Sequence, residues 1–174
     1  MGSPQIIFGT CDGTGAAINV CLGFVPRYVK VLNTEDGGSL YGALEWFKNQ
    51  AVITAMDEGL LILGTTDADR SVIATGGISA YNGGDKIKYD ANTSGRWELT
   101  TGTAFPGGNS AEEVYVDGAY ERTASGDAAY KCIGDVLCPE LYHGQECTTP
   151  KGFTIGTDAN MNVDGEQLVW MAIR

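Results

Sequence analysis

The stretch from Lys131 to Cys147, KCIGDVLCPELYHGQEC, gathers three of the five cysteines and the only histidine of the chain. Written as Cys132-x5-Cys138-x4-His143-x3-Cys147, it offers the four ligand types of a Cys3His zinc site. Sites of that kind usually open on a C-x2-4-C spacing, which this segment lacks. A second reading is a disulfide, inside this segment or between Cys11 and Cys21 on neighbouring strands. An odd number of cysteines leaves one over, and in a reducing cytosol a bridge would have to form later, after release. In the third reading Cys132, Cys138 and Cys147 stay as thiols and pack as small hydrophobes. This last reading asks least of the sequence and is the expectation, with no resident metal and no cofactor.

Other residues that could do chemistry point the same way. Any Ser-His or Cys-His pair must use His143, and the nearby cysteines are too close in sequence to make the usual long-range constellation. Asp67 and Asp69 could chelate a hard cation, but the remaining ligands of a calcium loop are missing. Asp57-Glu58 and Glu112-Glu113 are expected as solvated charges at turn or strand ends. Gly13-Thr14-Gly15 has the opening spacing of a dinucleotide fingerprint, yet Ile18 stands where the third small residue belongs and no helix follows, so a turn between strands is expected. No catalytic residue is assigned, and the chain is not expected to be an enzyme.

The elements around these residues are short. Glycine, at 25 residues, is about twice its usual share of roughly 7%, and it clusters in doublets such as Gly37-Gly38, Gly76-Gly77, Gly83-Gly84 and Gly107-Gly108. Between these punctuation marks lie runs rich in β-branched and aromatic residues: 5–9, 17–24, 28–32, 60–64, 71–78, 113–116 and 167–173. Many short strands separated by turn signals predict an all-β fold, an antiparallel sandwich or barrel-like domain with at most one short helix. That helix is expected near Tyr41–Asn49, because Leu40, Leu44 and Phe47 have helical spacing. The segment from Tyr89 to Asn109 reads as a hairpin or a long loop. Asp164-Gly165 predicts a two-residue turn joining 160–163 to 166–173. In the last strand Leu168, Trp170 and Ala172 alternate with Val169, Met171 and Ile173, so both faces are apolar; such a strand is central in a covered sheet or part of a subunit contact.

At 174 residues the chain suits one domain, 1–174, with no repeat and no linker. No apolar run approaches the roughly 20 residues of a membrane span, and the start MGSPQIIFGT has no secretory pattern, so neither a membrane nor export is expected. The net charge of −11 repels polyanions, which argues against nucleic-acid binding.

The two ends carry a resemblance. FGTCDGTGAAINVCLGFVPRYVKVLN, 8–33, has a strand, a Gly-rich turn, a second strand closing on Leu-Gly-Phe-x-Pro, and a third strand of alternating valines. KGFTIGTDANMNVDGEQLVWMAIR, 151–174, has Gly-Phe-x-Ile-Gly-x-Asp, an Asn-containing turn and a final aromatic strand. Together they resemble a β-rich domain of virion structural proteins of tailed bacteriophages, among them head-decoration and tail-associated proteins. The resemblance covers about 50 residues at the two ends, with 45–63 a fainter match. It implies a capsid decoration (cement) protein on the virion's outer surface, assembled in the host cytoplasm. Its partners would be the major capsid protein and further copies of itself, a trimer being favoured by the three-fold positions of icosahedral lattices. The alternative is a receptor- or glycan-binding module whose Trp97, Tyr115 and Tyr120 stack on sugars. Gly23, Phe24, Pro26, Gly152 and Phe153 are expected to serve the fold.

Overall fold

The computed structural model describes residues 5–35, 41–48, 58–64, 70–84, 86–90, 96–99, 114–116, 129–132, 146–158 and 161–174. Among these the chain is all-β and sandwich-like, without a helix. Six strands form the first sheet in the order β1 (Ile6–Asp12), β14 (Gln167–Ile173), β3 (Tyr28–Asn33), β4 (Tyr41–Phe47), β5 (Gly59–Gly64) and β6 (Arg70–Ile73), all antiparallel. The second sheet runs β10 (Val114–Val116), β11 (Ala129–Cys132), β2 (Ile18–Cys21), β13 (Gly152–Ile155), β7 (Ile78–Tyr81). Its β10–β11 and β11–β2 pairs are parallel and its other pairs antiparallel. A third, three-stranded sheet holds β12 (Glu146–Thr148), β8 (Lys86–Asp90) and β9 (Arg96–Leu99). The antiparallel β8–β9 pair overlaps the segment 89–109, read as a hairpin or a long loop, at residues 89–90 and 96–99; residues 100–109 lie outside the described ones.

The period-two pattern explains how the first two sheets meet. Val29, Val31, Leu44, Trp46, Leu61, Leu168, Trp170 and Ala172 project from the six-stranded sheet into the same buried cluster as Ile18, Val20, Ile78, Phe153 and Ile155 of the second. Phe153 and Trp170 meet edge to face across it, with ring centroids 5.5 Å apart, a geometry that aromatic quadrupoles favour. Gly9 makes this possible: it is the register partner of Trp170, and a Cβ there would lie 2.2 Å from the indole. The chain ends are interlaced, because β14 sits between β1 and β3 while β13 pairs with β2.

Three expectations are corrected. The helix near Tyr41–Asn49 is strand β4, in which Leu44 and Trp46 are buried while Phe47 is exposed; alternation and two antiparallel neighbours prevail over the helical spacing. The run 71–78 is two strands in different sheets, divided at Gly76-Gly77, where Gly77 packs so closely on Glu58 that a Cβ would sit 2.4 Å from its carbonyl oxygen. Asp164-Gly165 does form a turn, with Gly165 at φ 82° and Glu166 N–H donating to the Val163 carbonyl at 3.2 Å. No strand precedes it in residues 161–163, however, and the antiparallel partners of β14 are β1 and β3.

The loop 161–166 instead zips onto the β1–β2 turn. Gly13 N–H donates to Glu166 O (2.7 Å), Gly165 N–H to Gly13 O (3.0 Å), and Gly15 N–H to Asn162 O (3.1 Å). The buried Asn162 side chain locks the contact: Oδ1 accepts from Thr14 N–H at 2.8 Å, and Nδ2 donates to the carbonyls of Ala16 and Gly156. Gly13-Thr14-Gly15 is thus the turn the sequence suggests, held by a partner about 150 residues away.

Candidate functional site

The inward residues of the six-stranded sheet go to the core; its outer face is the surface of interest. Cross-strand register gathers the outward side chains into rows, since residues directly opposite on antiparallel strands share a face. One row crosses all six strands as Phe8, Met171, Lys30, Glu45, Leu60, Val72. A second runs Thr10, Val169, Leu32, Ala43, Ile62, Arg70. A third crosses four strands as Ile6, Ile173, Tyr28, Phe47.

These rows make an open apolar surface. Phe8 is 68% exposed, Ile6 53%, and Phe47 and Val72 47% each, while Met171, Val169, Ile173, Leu60 and Ile62 are half-buried between them. The expectation for β14 therefore resolves into one face in the core and one on this surface. Exposed apolar residues are mostly scattered singly, and a patch of several hundred Å² is the kind of surface from which interaction sites are drawn.

One ion pair stands at the centre. Lys30 Nζ lies 2.9 Å from Glu45 Oε1, both side chains being partly exposed, so the pair is worth about 0.2–1 kcal/mol. Its hydrogen bond to Glu45 holds the Lys30 ammonium above its ordinary pKa of 10.5. Burial against the face, and then the Glu45 charge, raise the Tyr28 phenol above its ordinary 10.0. The Tyr28 ring rests on Phe47 with centroids 4.9 Å apart. Both groups bind their protons more tightly in the folded state. Their stabilisation is therefore complete below the ordinary values and is lost as pH rises through the raised folded ones. Stability measured by urea unfolding is expected to fall as pH rises through about 10 and beyond, where the unfolded groups lose their protons before the folded ones. The fall should be shallower in Glu45→Gln than in the parent, and an identical slope would discount the pair.

None of the described residues that the sequence singles out for chemistry belongs to these rows. Cys132 ends β11 and Cys147 lies in β12, in different sheets; Cys138 and His143 lie outside the described residues. Cys11 and Cys21 are both buried and are not bridged to each other; β1 and β2, expected as neighbouring strands, belong to different sheets. The register partner of Cys21 is Cys132. Among the described residues no three His, Cys, Asp or Glu side chains come together as metal ligands. Asp57, Asp67, Asp69, Glu112, Glu113 and Tyr120 lie outside the described residues, whereas Trp97 and Tyr115 sit in β9 and β10. Glu58 is more than a solvated charge: its carboxylate accepts the Gly77 N–H at 2.8 Å and pins the sheet-switching turn. Gly23, Phe24 and Pro26 serve the fold as expected. Gly23 has φ 84° and donates to Lys151 O, Pro26 is buried, and Phe24 packs on the core beneath the Arg174 guanidinium.

No family model matches the chain, and neither a curated protein nor a solved structure matches it. Among the described residues no helix is long and apolar enough to cross a membrane.

Proposed function

We propose that this chain is a virion structural protein of a tailed bacteriophage, a decoration protein that binds the outer capsid surface and cements the shell. The observation that carries the reading is the open apolar face of the six-stranded sheet, a surface built to adhere. The resemblance at the two chain ends supports it, since those segments are the ones that interlace to close the fold.

The mechanism is thermodynamic. A protein that binds the assembled, expanded shell and not its precursor stabilises the expanded state by its differential affinity. Bridging neighbouring capsid subunits raises avidity beyond that of one contact, and on the shell three copies around a three-fold position satisfy lattice symmetry. The acidic character, −11 overall, keeps the decorated particle soluble.

Co-sedimentation decides between this reading and the glycan-binding one. Purified protein mixed with bare expanded capsids is expected to pellet with them and to raise their melting temperature. Retention on host cells or glycans, with none on capsids, would reject the cement reading.

A further inference from the structure

The outer rows of the six-stranded sheet have an order that is complementary to itself. Reading the complete row from β1 to β6 gives two apolar residues, a cation, an anion and two apolar residues: Phe8, Met171, Lys30, Glu45, Leu60, Val72. The midpoint falls between Lys30 on β3 and Glu45 on β4, which is also the midpoint of the sheet. A two-fold axis lying parallel to the strands over the β3–β4 seam would place a second copy's β4 above β3, its β5 above β14 and its β6 above β1. Phe8 then meets Val72 of the second copy, Met171 meets its Leu60, and Lys30 meets its Glu45. The same operation sets Leu32 on Ala43, Val169 on Ile62 and Tyr28 on Phe47.

We propose that in solution, away from any shell, two copies pair face to face through this surface about that two-fold axis; the pair covers the face until capsid subunits displace the second copy, so it is distinct from the arrangement on the shell. A partner of unrelated sequence has no reason to match this order, whereas a two-fold pair requires it: an isologous interface must be its own complement. Electrostatics select the same face. Each copy carries −11 overall, yet Lys30 and Arg70 balance Glu45 and Asp12 on the outward side of these strands, so two copies approach here without net local repulsion. The size also suffices. Six strands about 4.8 Å apart carry two full rows about 6.6 Å apart and a third over four strands, which together cover roughly 500 Å² in plan. Side-chain relief brings this toward the approximately 800 Å² per partner of a standard interface. The axis keeps strand directions aligned, as in packed sheets about 10 Å apart. The ion pair within each copy becomes a four-charge ring across the seam.

Sedimentation or light scattering of the capsid-free protein tests this independently of any shell. The parent is expected to run at twice the chain mass at micromolar concentration. Lys30→Glu sets Glu opposite Glu twice per pair, and Glu45→Lys sets Lys opposite Lys; each variant alone should pair about tenfold more weakly or worse. Mixed together they should form a one-to-one heterodimer, because each supplies the charges the other lacks, and this recovery also shows that both are folded. The double exchange Lys30→Glu/Glu45→Lys should pair like the parent. A parent that sediments as a monomer or trimer overturns the proposal. So does a pair insensitive to both single exchanges, or a mixture of folded variants that fails to associate.

Discussion

Asn162→Ala is expected to lower the unfolding free energy by about 3–5 kcal/mol, one of the largest losses available from a single side-chain truncation in this chain. Asn162 is 2% exposed and spends its amide on three backbone groups. Truncation strands the Thr14 N–H in the interior, and each buried group left unmatched costs about 1–3 kcal/mol. The Ala16 carbonyl suffers less, since Thr14 Oγ1 also donates to it at 2.8 Å. The loss spreads because Asn162 joins the β1–β2 turn to the connection between β13 and β14, the elements that interlace the chain ends. Asn162→Asp should be worse than Asn162→Ala at neutral pH: a carboxylate cannot donate, and it would face the Ala16 and Gly156 carbonyls as a buried charge. Urea unfolding should show a lower midpoint with an unchanged slope, and the melting temperature should fall by about 10 °C. A loss below about 1 kcal/mol would show that the loop 161–166 is held by its backbone bonds alone.

Much of the fold was legible because its signals are local. The alternation in 28–32 and 167–173, the glycine doublets and the Gly-rich 13–15 turn each encode geometry within a few residues, and β3, β14 and the turn stand where these signals put them. The failures share a cause. Leu40, Leu44 and Phe47 have a spacing that a short strand and a short helix both permit, and only the neighbours β3 and β5 decide for a strand. Asp164-Gly165 specifies a turn but not the partner of the strand that follows. Asn162 and Gly13 draw residues 161–163 out of any ladder, through bonds between positions almost at opposite ends of the chain. Parallel pairing of β10, β11 and β2 was equally hidden, because such strands are joined through long crossovers.

The site was half legible. The two apolar faces of β14 could be read from Leu168–Ile173, and with them the alternatives of burial or subunit contact. The outward rows could not, because a row is a property of register: Phe8, Lys30, Glu45 and Val72 become neighbours only once five antiparallel pairings are known. Cys132, Cys138, His143 and Cys147 stand out because rare residue types announce themselves, whereas an apolar sheet face is written in common ones.

Gly152→Ala should be more damaging still, with a loss above about 4 kcal/mol or no cooperative unfolding transition at all. A Cβ on Gly152 would stand 1.7 Å from the carbonyl oxygen of Val20 and 2.8 Å from its carbonyl carbon. Both obstacles are backbone, and both belong to β2, whose four residues are all buried between β11 and β13. No rotamer change relieves such a clash. β13 must leave β2, taking Phe153 and Ile155 out of the core and Phe153 away from Trp170. Gly23→Ala is the control, for it sits one turn away in open space at φ 84°. There a methyl group meets nothing and pays only the left-handed backbone cost of about 1–2 kcal/mol. The two glycines thus separate close approach from backbone conformation at one junction, where Gly23 N–H donates to the Lys151 carbonyl. Thermal unfolding of both variants should show Gly23→Ala melting a few degrees below the parent and Gly152→Ala without a native baseline. A Gly152→Ala protein melting within a few degrees of Gly23→Ala would mean that β13 can shift along β2 at little cost, and that the interlaced ends are not what closes the fold.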